Sequence, residues 1–123
     1  MNILAIVAAG ILTGSEARII EAVAREYRLS QEETRLLFAI RKTENGRQGL
    51  EFGIGQGDVN HRARRYQNKS AVRSLIVQAR WAAGTIKKRY NGEVESFAKI
   101  YCPLNVAVWT SNVKWWMGKF ERM

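Results

Sequence analysis

Apolar residues along this chain recur three and four positions apart, and strict alternation of apolar and polar residues is scarce. That period belongs to amphipathic helices, not strands. The segment from Ile3 to Leu12 is apolar almost throughout. In "SEARIIEAVAREYRL", Ile19, Ile20, Val23 and Tyr27 share one face, with acidic residues early, where the helix dipole favours them. Ser30 and Glu33 have the spacing of a capping box. They open a helix whose stripe is Leu36, Leu37 and Ile40, and Asn45-Gly46 is its stop signal. A long helix is expected over about 70–90, with Val72, Leu75, Ile76, Ala79, Ala83, Ile86 and Tyr90 facing inward, until Asn91-Gly92 ends it. "EVESFAKIYC" reads as a short helix stopped by Pro103. The last helix, over about 105–120, carries Val106, Trp109, Val113, Trp116, Met117 and Phe120 at core spacing. Trp81 and Trp115 fall off their helices' stripes and are expected at the surface. Residues 46–57 have room for turns or a small β-hairpin, and 58–69 read as irregular or short helical chain. The pattern predicts an all-α fold in one domain spanning 1–123.

Composition narrows the class. With 123 residues, 46% of them hydrophobic and 25% charged, the chain can bury one core. The apolar stretch within 1–14 is too short for a bilayer span, which takes roughly 20 residues. It lacks a positively charged leader, although "VAAG" is small enough to be cut, so it reads as a buried first helix or as a signal. One cysteine, Cys102, excludes an internal disulfide and a cysteine-based zinc site. One histidine, His61, argues against a His-rich metal centre and a Ser-His-Asp triad. No cofactor or metal is expected. The net charge of +9 and a pI of about 10.2 point to an anionic partner: nucleic acid, anionic lipid or bacterial cell wall. The charge is dispersed in short clusters, such as Arg62, Arg64 and Arg65, or Lys87, Lys88 and Arg89.

The candidate chemistry gathers in "KTENGRQGLEFGIGQG", residues 42–57, which holds five of the ten glycines. Glu44 lies four residues after Ile40 and seven after Leu37, so it extends an apolar stripe. It also lies in the last helical turn, where the macrodipole is negative. Both placements disfavour the carboxylate and predict a raised pKa. A locally unfavourable choice of this kind marks a functional site. The glycines after it let a ligand or another backbone approach closely. Neither a Walker pattern nor G-x-G-x-x-G before a helix is present, so no nucleotide is expected.

A helix-ending glutamate, a glycine-rich loop, "GIGQ" (Gly53, Ile54, Gly55, Gln56) and a later "IYCPLN" before a final helix resemble the lysozyme-like superfamily, closest to lytic transglycosylases and goose-type lysozymes. The resemblance covers roughly residues 30–120 as an order of helices and about ten positions as motif. Here "CPL" separates a tyrosine and an asparagine that are usually adjacent in that family. The resemblance implies a lysozyme-like domain that cleaves the β-1,4 bond between N-acetylmuramic acid and N-acetylglucosamine. Glu44 would be the general acid and base, with Gly53, Ile54 and Gln56 walling the sugar groove and Tyr101 and Asn105 beside it. Trp81, Trp115, Tyr66 and Tyr101 offer faces for sugar rings. A hydrolase adds a second carboxylate, for which Glu51 and Asp58 are the candidates, whereas a transglycosylase needs none. Left to local pattern alone, Glu51 is expected on the exposed side of the loop and Asp58 in a turn. The implied partner is peptidoglycan, met by a monomer in the cell wall, the periplasm or outside the cell. Two other readings compete. A helical nucleic-acid module would use Arg73, Arg80 and Lys87, which align at seven-residue spacing. An inactive lysozyme-like domain would bind the wall only.

Overall fold

The computed structural model describes residues 1–55 and 70–123. Among them are six helices and no strand: α1 (Ile3–Ala8), α2 (Gly14–Glu26), α3 (Gln31–Glu44), α4 (Ala71–Arg89), α5 (Val94–Tyr101) and α6 (Val106–Glu121). The fold is all-α, and the hairpin considered for the glycine-rich stretch is replaced, as far as Gly55, by turns. Leu50 N–H donates to the Arg47 carbonyl at 2.8 Å, and Gly53 N–H to that of Leu50 at 2.9 Å.

Local chemistry sets the helix ends. Asn2, Thr13, Ser30 and Ser70 each accept a backbone N–H through the side chain, satisfying donors that a first turn leaves bare. The capping box at Ser30 is complete, with the Glu33 carboxylate accepting from Ser30 N–H at 2.8 Å. Asn45 closes α3 in the left-handed conformation, φ 44°, and its N–H reaches the Arg41 carbonyl at 2.8 Å. Among the described residues no helix is long and apolar enough to cross a membrane.

Helix α3 is the axis of the packing. Six consecutive residues, Leu36 to Arg41, are buried, so the helix is enclosed on every side and not along one stripe. The three-residue stripe read from its sequence was too narrow: Phe38 and Ala39 are buried too. Its most extensive partner is α6, where Phe38 meets Phe120 edge to face at 6.1 Å. Truncating a phenylalanine buried this completely costs about 3–5 kcal/mol. Helix α4 packs on α2 and α3, with Leu75, Ala79, Ala82, Ala83 and Ile86 inward. Val72, expected on that inward stripe, is half exposed, because it lies in the first turn before α4 meets its neighbours. Ile6 and Leu12 join the core, which makes the apolar N-terminal stretch part of the packed fold.

Candidate active site at the end of helix α3

Glu44 is the last residue of α3 and is half-buried. Beyond Asn45 the chain doubles back as a loop over that helix end, and two glycines make the return possible. A Cβ at Gly46 would collide with the Leu50 carbonyl. At Gly53, where φ is +74°, a Cβ would stand 2.5 Å from both Cδ and Oε1 of Glu44. The carboxyl therefore lies directly against loop backbone.

Later elements hold the loop in place. Gln78 of α4, fully buried, makes four hydrogen bonds with it. Its Oε1 accepts from Phe52 N–H (3.2 Å) and Ile54 N–H (3.3 Å), and its Nε2 donates to the carbonyls of Gly49 (3.2 Å) and Ile54 (3.0 Å). The Tyr101 hydroxyl donates to the Phe52 carbonyl at 2.7 Å. Arg41 donates to the carbonyls of Glu51 (3.2 Å) and Gly46 (3.4 Å) and pairs with Glu16 at 3.5 Å.

Around the carboxyl the surroundings are apolar and aromatic. Trp109 of α6 donates its indole N–H to Glu44 Oε2 at 2.8 Å. Its ring stacks on Tyr101 at 5.3 Å, and Tyr101 stacks on Phe97 at 5.5 Å. Burial raises the Glu44 pKa above the ordinary glutamate value, and the indole N–H, which favours the carboxylate, pulls part of that rise back. The charge of Glu44 adds to burial in pushing the Tyr101 hydroxyl and the Cys102 thiol upward. Glu44 thus holds its proton to higher pH than an exposed glutamate, beside groups that stay protonated.

A groove of about 670 Å³ runs past this corner, between Gly53–Gly55, Trp81 and Thr85 of α4, and the stretch from Ile100 to Leu104. Each of its described lining residues is uncharged. Glu44 is not itself part of the groove's described lining; it packs against Gly53, which is.

The structure brings together part of the predicted set. Gly53, Ile54, Trp81 and Tyr101 line one groove next to Glu44, and Trp81, like Trp115, is about half exposed as its spacing suggested. Asn105 is exposed at the N-terminus of α6, makes no capping bond through its side chain, and lies beyond the groove lining, which stops at Leu104. Glu51 is a correction. It is only 4% exposed, and its Oε1 accepts from Gly49 N–H (2.9 Å) and from the Ser74 hydroxyl (3.1 Å). It lines a separate cavity of about 300 Å³ with Glu16 and Arg41, on another side of the loop from the groove. Burial overrode the local expectation because α4, far along the chain, folds over it. Gln56, Asp58, His61, Arg62, Arg64, Arg65 and Tyr66 lie outside the described residues. Sequence reasoning missed Gln78, Arg41 and the donor role of Trp109. The first two carry the signal that singled out Glu44, a polar residue on an apolar stripe: Gln78 follows Leu75 by three, and Arg41 follows Leu37 by four.

Among the described residues no group of three or more His, Cys, Asp or Glu side chains is placed to hold a metal ion. Of the basic residues aligned along α4, Arg80 forms a two-bond ion pair with Glu26 (2.9 and 3.0 Å), and Lys87 donates to the Arg28 carbonyl at 2.9 Å. Arg80 is turned to α2 and Lys87 to the turn that follows it, instead of presenting a free basic ridge. Compared with known proteins, the chain matches no family model, no curated protein and no solved structure.

Proposed function

We propose that the protein cleaves the β-1,4 bond between N-acetylmuramic acid and N-acetylglucosamine in peptidoglycan, with Glu44 as general acid and then base. The observation that carries this reading is a half-buried carboxyl with a raised pKa, packed against Gly53 in the wall of an open groove. Glycosidic cleavage requires such an acid, because the leaving sugar oxygen must be protonated as the bond breaks. Trp81, about half exposed, offers an aromatic face to sugar rings along the groove. The charge of +9 suits an anionic wall polymer, met in the cell wall, the periplasm or outside the cell.

The Glu51 carboxylate is engaged inside the loop, and Glu44 is the carboxyl that packs against the groove-lining Gly53. The transglycosylase route needs no second carboxylate. Glu44 gives its proton to the departing oxygen. Its carboxylate then takes the proton of the muramic acid 6-hydroxyl as that oxygen bonds to the anomeric carbon, leaving a 1,6-anhydro end. The hydrolytic route instead sends water to the same carbon, with Asp58 as the candidate second carboxylate.

The test is to incubate wild type and Glu44→Gln with purified peptidoglycan and weigh the products. Anhydro ends identify the first route and reducing ends the second. Equal release by both proteins removes Glu44 from the chemistry, and no release with retained wall binding identifies a binding domain. Salt-sensitive DNA binding without turnover would favour the nucleic-acid module.

A further inference from the structure

On the reading that Glu44 is the proton donor, the geometry points to Trp109 as a positioning residue that divides the two carboxyl oxygens between separate tasks. Oε2 is held as the acceptor of the indole N–H, and Oε1, on the Gly53 side, is left to carry the proton.

The donor inventory gives the assignment its direction. An indole N–H only donates, so the oxygen 2.8 Å from it serves as an acceptor in both protonation states of Glu44. In the neutral acid the carbonyl-type oxygen is the better acceptor, which leaves the proton on Oε1. Oε1 is the atom against Gly53, and Gly53 lines the groove.

The indole is not free to leave. Trp109 is 4% exposed, Tyr101 stacks on it, and Phe97 lies tilted at 6.2 Å. Tyr101 is fixed in turn by its bond to the carbonyl of Phe52, the residue before Gly53. One aromatic unit therefore holds both the accepting oxygen and the backbone beside the other oxygen. The titratable groups coupled to Glu44 are Tyr101 from α5 and Cys102 just after it, both of which stay neutral at ordinary pH. Helix α6 contributes the uncharged indole, and the loop's own acid, Glu51, lines the other cavity.

Two replacements at position 109 test the assignment: Trp109→Phe, and benzothienylalanine, which keeps the bicyclic shape and replaces N–H by sulfur. Glu44 is followed by carboxyl ¹³C NMR, with Glu44→Gln to identify its resonance. The Glu44 titration midpoint should rise by about one pH unit in both replacements, the size expected for losing one charge-assisted hydrogen bond. In wild type the Trp109 indole resonance should move with that midpoint, and it should be flat with pH in Glu44→Gln. On peptidoglycan, kcat should fall about tenfold with KM unchanged.

An unmoved midpoint, or an indole resonance indifferent to Glu44, overturns the assignment. A residue that only packed would lower the melting temperature and leave the midpoint in place. Should Trp109→Phe fail to fold, the benzothienyl variant and the wild-type indole resonance decide the matter. Absence of glycan turnover by wild type would sink the proposed function separately, since the titration does not depend on activity.

Discussion

Replacing Gln78 by leucine keeps the volume of the side chain and removes all four of its bonds to the loop. A net hydrogen bond contributes about 1 kcal/mol, so the intact set stabilises the loop by about 4 kcal/mol, and stranded partners cost more where water cannot reach them. The loop can relieve part of the loss by lifting into solvent, which leaves an expected destabilisation of about 2–4 kcal/mol. For a chain of this size that lowers Tm by about 10 °C. Thermal melting gives the magnitude, and hydrogen exchange gives the location: the amides of Phe52 and Ile54 should lose protection well before those of α3. Gln78→Glu sharpens the test through pH. A carboxylate there accepts both N–H groups but faces two carbonyls, whereas the protonated acid regains a donor. Burial raises the folded-state pKa of such a group. Its stabilising contribution is complete below the unfolded pKa and is lost as pH rises through the folded one. Gln78→Glu should therefore approach wild-type stability near pH 4 and fall away from it at neutral pH. A Gln78→Leu melt within about 2 °C of wild type, with Phe52 and Ile54 still protected, would refute the reasoning.

Other outcomes follow from the same geometry. Glu44 has a raised folded-state pKa, so its ionisation weakens the fold as pH climbs through that value. Glu44→Gln should melt higher than wild type at neutral pH, and the gap should close below the ordinary glutamate value of 4.5, as calorimetry at both ends would show. Gly53→Ala places a methyl 2.5 Å from the Glu44 carboxyl at a positive φ. It should cut glycan cleavage about 100-fold, a loss that misplacing a catalytic group by an ångström can produce, measured as kcat. Trp81→Ala removes an exposed groove wall, so KM should rise about tenfold while kcat holds, and Tm should stay within the change of about 0.5 kcal/mol typical of surface positions.

What could be read from the chain was what is local. Ser30 with Glu33, Asn45, Gly92 and Pro103 mark helix ends through their own backbone chemistry, so the helices after them were legible. Glu44 was legible because one helical period relates it to Ile40 and Leu37. Glu51 was not, since its burial depends on Ser74 and the first turns of α4 folding over a loop more than twenty residues earlier. Trp109 was placed on a core face, and it is there. Periodicity assigns a face, however, and cannot report that the indole edge meets a carboxylate 65 positions away. Asn105 is exposed one position past Leu104, the last residue of the groove's described lining.

The anchoring of the glycine-rich loop also sets an order of assembly. Inside the loop, turn bonds and the bond from Gly49 N–H to the Glu51 carboxylate tie residues 47–53 together, and Arg41 holds the carbonyls of Gly46 and Glu51. Its other ties reach Ser74, 23 positions on, Gln78, 24 to 29 positions on, and Tyr101, 49 positions on, while Glu44 waits for Trp109. Contacts this distant close late, because the intervening chain must first give up its freedom. Helices α1 to α3 can therefore be capped and formed while the acid at their end still sits in water with an ordinary pKa. In refolding, helical circular dichroism should return before the Trp109 indole resonance, and simultaneous return would contradict this order. If the proposed function holds, a chain emerging from synthesis would thus keep its glutamate idle until α6 docks.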